Sequence, residues 1–260
     1  MKKKFLLLLT MALTLLGHTQ AKRHNSVGLS FGWQNFTMLD KHVSPLKYST
    51  NSLFPKIGFF YTRQTNGSIL NIKVAASKGS INPSSFGVRS YKTVWNAKDS
   101  FQYNLASPFI NANIEATYLR NITSSSSGKF NYYAGGTMSE TAYYGDNVSA
   151  FPWVLNVADV APAFQLDYQP LSKHSLTFRV DLSVLGAVTR PIYSLFPKSS
   201  KDKNVTAYFK QGTHVATINK FQRVNFQVGY NYQVGRHFAA GVEYRLKWLH
   251  YSLTKDIHAV

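Results

Sequence analysis

The side chains of this chain with the most chemical potential are ionisable groups set among alternating apolar ones. They are Lys73, Glu115, Asp167, Arg179, Asp181, Arg223, Glu243, Arg245 and Lys247. Each stands one step out of phase with apolar neighbours: Glu115 lies between Ile114 and Ala116, and Asp181 between Val180 and Leu182. Carboxylates and cations gathered on one enclosed face could move protons, line a polar passage or neutralise one another. An isolated buried ion is costly, so mutual pairing in a polar lumen network is the expected use.

Nucleophilic catalysis needs a base within hydrogen-bond reach of a hydroxyl. Beyond residue 21 the histidines are His24, His42, His174, His214, His237, His250 and His258. A strand running through 250 would put His250 and Ser252 on one face. That is the one local base–hydroxyl step, and no acidic third member accompanies it. Cysteine is absent, which excludes a thiol nucleophile, a thiolate metal site and disulfides. No histidine pair has metal-ligand spacing and no glycine-rich phosphate loop occurs. No catalytic residue, metal or cofactor is therefore expected.

The elements that must carry these groups are β-strands, because successive strand side chains point to opposite faces. Strict alternation marks nine segments: 27–34, 57–62, 70–77, 110–118, 130–139, 162–168, 176–184, 223–232 and 238–248. Several reach about 9 to 11 residues, the length a tilted membrane strand requires. Their apolar faces tend to end in aromatic residues such as Tyr61, Tyr118, Tyr168, Tyr232 and Trp248, as an interfacial girdle does. The connections alternate in length. Short ones fall at 64–67, 123–129, 169–173 and 234–236, and long ones at 38–53, 79–107, 144–152 and 191–212. The predicted fold class is all-β: an antiparallel up-and-down transmembrane β-barrel of about 8–10 strands.

Composition agrees. Charged residues make up 15% of the chain against about a quarter in an average soluble domain, while aromatics reach 15%. Residues 1–21 read as a cleaved signal peptide: Lys2, Lys3 and Lys4 precede an apolar run to Leu16, and Thr19-Gln20-Ala21 supplies small residues at −3 and −1. Residues 22–260 are then the barrel. The formal charge of +18 falls by those three lysines to +15. For an exported chain the expected partners are outer-membrane lipid, lipopolysaccharide phosphates and an envelope protein, not nucleic acid. The basic and aromatic residues after Arg190 (Lys198, Lys201, Lys203, Lys210, Lys220, Tyr193, Phe196, Tyr208 and Phe209) suit such anionic contacts.

Nine strands is an awkward number, since single-chain bacterial barrels usually have an even count. One resolution is a further strand within 80–106. The other is a missing final strand, because 256–260 carries no alternating run closing on an aromatic residue. A ten-stranded design with one strand irregular or missing is expected.

Over residues 25–250 the chain resembles small outer-membrane barrel proteins of Bacteroidetes-type bacteria. The resemblance rests on Tyr118-Leu119-Arg120, Tyr132-Tyr133-Ala134-Gly135-Gly136 and Arg190-Pro191-Ile192-Tyr193. It implies a barrel in the outer membrane and no catalytic residues. A second resemblance, carried by His250-Tyr251-Ser252 alone, is to outer-membrane lipid A deacylases, with Leu253 where that family has Asn. The expected function is a non-enzymatic outer-membrane barrel, structural or a partner subunit of an envelope complex. The alternatives are a narrow, porin-like pore for small polar or anionic solutes and a lipid-modifying enzyme.

Overall fold

Alternation produces strands here, and the computed structural model shows how they join. It describes residues 24–41, 43–50, 52–65, 67–85, 90–94, 100–104, 107–123, 129–146, 148, 152–190, 204–235, 238–253 and 257–260. The chain enters through β1 (His24–Gln34), breaks at Asn35 and Phe36, and resumes as β2 (Thr37–Asp40). It returns through β3 (Lys47–Thr50) and β4 (Phe54–Gln64), then climbs β5 (Ser68–Pro83). A separate hairpin of β6 (Ser90–Val94) and β7 (Ser100–Asn104) precedes β8 (Ser107–Asn121), β9 (Phe130–Gly145), β10 (Trp153–Leu171) and β11 (His174–Ser183). After β12 (Leu185–Thr189) come the helix α1 (Asn204–Gly212), β13 (Thr213–Thr217), β14 (Phe221–Gln233), β15 (Ala239–Tyr251) and β16 (Ile257–Ala259).

All pairings are antiparallel, and a ring of hydrogen bonds passes through ten strands. From β5 it runs through β8, β9, β10, β11, β14 and β15. It closes through β16, β2 and β3 back to β5. The all-β antiparallel barrel expected from alternation is thus the architecture observed. The four short connections lie at one end, the turn end, and the long ones at the other, the loop end. Closure occurs at the loop end, because β16 pairs with only the last residues of β15, Leu249 to Tyr251.

Each of the nine alternating segments lies in a strand, and most strands are longer than the alternation indicates. β10 is the extreme case, at 19 residues. Its first half is apolar on both faces, with Trp153, Leu155 and Val157 inside and Val154 and Val160 outside, so alternation fades there. Two sequence expectations are corrected. The described residues of 80–106 add no further strand to the ring; there β6 and β7 pair only with each other. The tail at 257–259 is a strand after all, and with β2 and β3 it completes a ring that holds seven of the nine alternating segments, those in β1 and β4 pairing outside it. Three residues are too few to show a period. The expectations for residues 1–21, His42, His237 and residues 191–203 fall outside the described residues.

The faces are inverted relative to a water-soluble sheet. Along β8, Ser107, Phe109, Asn111, Asn113, Glu115, Thr117 and Leu119 point into the barrel, while Ile110, Ala112, Ile114, Ala116 and Tyr118 point out. The interior is tight enough to demand glycine at points of contact. A Cβ at Gly186 would lie 2.5 Å from the Phe221 ring, whose side chain is wholly buried.

Overpacking of a filled core typically costs about 1–3 kcal/mol. Gly186→Val should therefore lower the unfolding temperature in detergent micelles, and Phe221→Ala in the same chain should recover part of the loss. Additive losses in the double variant would show that the two residues do not compete for one space.

Candidate functional site

The interior of the barrel is the one place where the structure gathers ionisable groups from many strands. Its middle layer is polar. Two hydrogen-bonded clusters make up that layer, and Glu115 on β8, with 2% of its surface exposed, is at the centre of the larger. Arg245 Nη1 on β15 donates to Glu115 Oε2 at 2.9 Å, and Arg179 Nη2 on β11 lies 3.3 Å from Oε1. Arg179 also grips Asp181, two residues along the same strand, at 2.8 and 3.0 Å. Its Nη2 donates to the Thr117 and Thr137 hydroxyls, both at 2.7 Å. Asn225 Nδ2 on β14 donates to Asp181 Oδ2 at 2.6 Å.

One branch extends this centre, and a second cluster lies beside it across a small shared space. On one side Glu243 receives Lys73 Nζ at 2.8 Å and Gln227 Nε2 at 2.9 Å, and lies 3.1 Å from Arg245. On the other, Arg223 Nη1 on β14 meets Asp159 Oδ1 on β10 at 2.5 Å and the Ser139 hydroxyl at 2.9 Å. Ser139 and Ser183 both donate to Asp159. Arg223 Nη2 also reaches Thr141, which accepts from Asn113, and Asn113 Oδ1 accepts from Lys247 at 3.5 Å.

Eight of the nine charges expected in the lumen therefore lie in this polar layer, six in the Glu115 cluster (Lys73, Glu115, Arg179, Asp181, Glu243 and Arg245) and two, Arg223 and Lys247, in the Asp159 cluster. The ninth, Asp167, is held apart nearer the turn end by neutral donors, Gln165 Nε2 at 2.9 Å and Thr177 Oγ1 at 3.0 Å. Asp159 belongs to the same layer but escapes a sequence reading, because it lies in the first half of β10 where alternation fades. Among these groups five cations (Lys73, Arg179, Arg223, Arg245, Lys247) face four carboxylates (Glu115, Asp159, Asp181, Glu243). The space left between Glu115, Asp159, Asp181, Arg223 and Lys247 is about 10 Å³, on the order of one water molecule.

Apolar layers lie on both sides. Towards the turn end, Ile69, Leu119, Tyr133 and Ala163 pack together. Towards the loop end sits a larger core built on Phe36, Phe54, Phe109, Tyr143, Trp153, Phe221 and Tyr251. Phe109 stacks on Phe36 at 4.5 Å between ring centroids and on Trp153 at 6.4 Å. One buried carboxylate is set into this core. Asp40 on β2 accepts from Trp153 Nε1 at 3.0 Å and from Arg190 Nη1 at 3.2 Å, and Arg190 lies over the Tyr251 ring at 5.4 Å. Neither Asp40 nor Arg190 lies in an alternating segment, so only the assembled barrel reveals their pairing. Outside this core, Tyr208 of α1 donates to the Thr189 carbonyl at 2.9 Å. Burial pushes its phenol above the ordinary range, so it stays a donor at any physiological pH.

The base–hydroxyl step does not become a catalytic pair. His250 faces outward and stacks on its cross-strand partner His258, with ring centroids 4.4 Å apart. Ser252 lies beyond the end of β15 and uses its backbone N–H on the Lys220 carbonyl. Among the described residues no group of three or more His, Asp or Glu side chains could hold a metal ion. The arrangement suits neutralisation and filling.

Removing one member of a buried ion pair strands its partners and typically costs about 3–5 kcal/mol. Glu115→Ala should therefore be severely destabilising in urea titrations of the folded barrel. Asp167→Asn keeps an oxygen for its two neutral donors and should cost less than about 1 kcal/mol. Equal losses would mean that Glu115 is not the hub. Compared by sequence with known proteins, the chain matches no protein-family model and no curated protein.

Proposed function

We propose that this protein is a non-enzymatic β-barrel of the bacterial outer membrane that works as a structural or partner subunit of an envelope complex. One observation carries the membrane part of the reading: the polar faces of the strands are buried and the apolar faces are exposed. Outward residues such as Phe59, Val74, Ile114, Met138, Phe164 and Val180 would each be costly to leave in water, and together they form a belt. Exposed aromatics border the belt near the turn end: Tyr118, Phe130, Tyr132, Tyr230 and Tyr232. On β9, Tyr132 and Tyr144 both face outward twelve positions apart. At about 3.3 Å per residue and a tilt of about 40°, that spans roughly 30 Å along the barrel axis, close to a bilayer's hydrocarbon core. No helix among the described residues is long and apolar enough to cross a membrane, so a spanning role would fall to the strands.

The signal-peptide pattern of residues 1–21 supports export, and the Bacteroidetes-type resemblance supports an outer-membrane address. Exposed Lys41, Lys47, Lys78, Lys210 and Lys220 lie towards the loop end, which faces outward in such barrels. Lipopolysaccharide phosphates are the anions they would meet. The pore alternative is disfavoured by an interior filled with paired charges between two apolar layers. The lipid-modifying alternative is disfavoured by the His250–His258 stack.

The test uses Met138, 56% exposed and midway between Tyr132 and Tyr144. In a bilayer, Met138→Arg should cost about 2–4 kcal/mol, whereas an exposed site on a soluble protein would change by less than about 0.5 kcal/mol. Recovery in the outer-membrane fraction with heat-modifiable gel migration should accompany it, with no conductance in planar bilayers. A protein found in the soluble periplasm would overturn the proposal.

A further inference from the structure

Two histidines meet on the outer wall of the barrel, beside the strand that closes the ring. His250 on β15 and His258 on β16 stand opposite each other in the register of that pair. Both alternate with buried neighbours, Leu249 and Tyr251 on β15 and Ile257 and Ala259 on β16, so both point out of the barrel. Val260 exchanges two backbone hydrogen bonds with Thr37, at 2.8 and 2.9 Å. The N–H and C=O of every second strand residue share a direction, so those of His258 also point to β2 and away from His250. The two histidines are therefore a non-hydrogen-bonded pair across β15 and β16. In such pairs the Cα atoms approach to about 4.5 Å and the side chains come closest. The rings bear the mark of it, with centroids 4.4 Å apart and planes within 17° of parallel.

We propose that His250 and His258 form a two-imidazole site for one divalent transition-metal ion of the zinc, nickel and copper class. Imidazole suits those ions, whereas magnesium and calcium take oxygen donors. Both rings are half-exposed, and rotation about each Cβ–Cγ bond turns one nitrogen of each towards a shared point. The sheet holds the second imidazole beside the first, so the pair binds an ion that a single histidine holds poorly. Among the described residues no third His, Asp or Glu joins them, and water fills the remaining positions. A structural zinc site encloses its ion with four protein donors. This site is open, so its ion exchanges with solvent. His174 is placed differently, sharing a 2.8 Å hydrogen bond with the Tyr230 hydroxyl.

The position of the pair gives the ion a structural consequence. β16 is held to β15 by three residue pairs, Leu249 with Ala259, His250 with His258 and Tyr251 with Ile257. The outer two pairs pack into the aromatic core, and the middle pair alone faces outward. An ion on that middle pair ties the closing strand to its neighbour from outside. A ligand that binds the folded chain and not the unfolded one stabilises it by mass action. Metal occupancy thus sets how readily the ring opens. The site needs only the two paired strands, whatever surrounds the barrel.

The test titrates the folded, untagged chain, stripped of metal by a chelator, with Zn²⁺ in a calorimeter at neutral pH. One equivalent should bind. His250→Phe and His258→Phe each keep a ring in the stack but remove its nitrogens, and each should weaken binding by about tenfold or more. His174→Ala should leave the affinity unchanged. Zn²⁺ should raise the unfolding temperature of the unaltered chain and of His174→Ala, but of neither Phe variant. Cu²⁺ on the unaltered chain should give an electron paramagnetic resonance spectrum with two imidazole nitrogens on one copper. Absence of binding would overturn the proposal, as would equal affinity in the Phe variants, which puts the ion elsewhere. Half an equivalent with dimer formation would also overturn it, because the ion would then bridge two copies. So would binding of Mg²⁺ or Ca²⁺ as tight as that of Zn²⁺, which no imidazole pair provides.

Discussion

An ionised carboxylate deep inside a protein persists only when cations and donors surround it. Glu115 is that carboxylate here, and its partners come from β11 and β15, strands far from it in the chain. The same condition applies to Asp181, Asp159 and Glu243. Satisfying all four at once requires β5, β8, β9, β10, β11, β14 and β15 to sit in one mutual register. Slipping any strand by a single residue would swing its charge out to the apolar face and bring a Leu, Ile or Val in. The network contributes more to specifying the barrel than to stabilising it, since buried ion pairs roughly balance their own desolvation.

The same filling confines where function can reside. Charged groups fill the middle of the lumen, while Leu119 and its neighbours occupy the turn end and the aromatic core on Phe109 and Trp153 occupies the loop end. A solute passing through would have to displace ion pairs and two apolar layers.

The closure at the loop end depends on a few residues. β16 contributes three paired residues, and Asp40 beside it joins β2 to Trp153 of β10 and to Arg190. Ile257 and Ala259 are buried against the same core that holds Tyr251 and Leu249. Ring closure and core packing are thus one event at this end. Towards the turn end the polar network holds the wall without closing it.

Much of this was legible in the residues themselves. A strand with one apolar face must alternate, so the nine long segments, the sidedness of their turns and the inward direction of Lys73, Glu115, Asp167, Arg179, Asp181, Arg223, Glu243, Arg245 and Lys247 follow from order alone. Alternation is a local property, and it fails where both faces are apolar or the element is short. That is why the first half of β10, with Asp159, stayed hidden, and why the three residues of β16 looked like a tail. Which charges meet, that Asp167 stands apart from the rest, and that Asp40 and Arg190 share a buried contact were decided only by tertiary structure. Those relations join residues up to 170 positions apart, and backbone pairing between distant strands leaves no trace in either strand's own period.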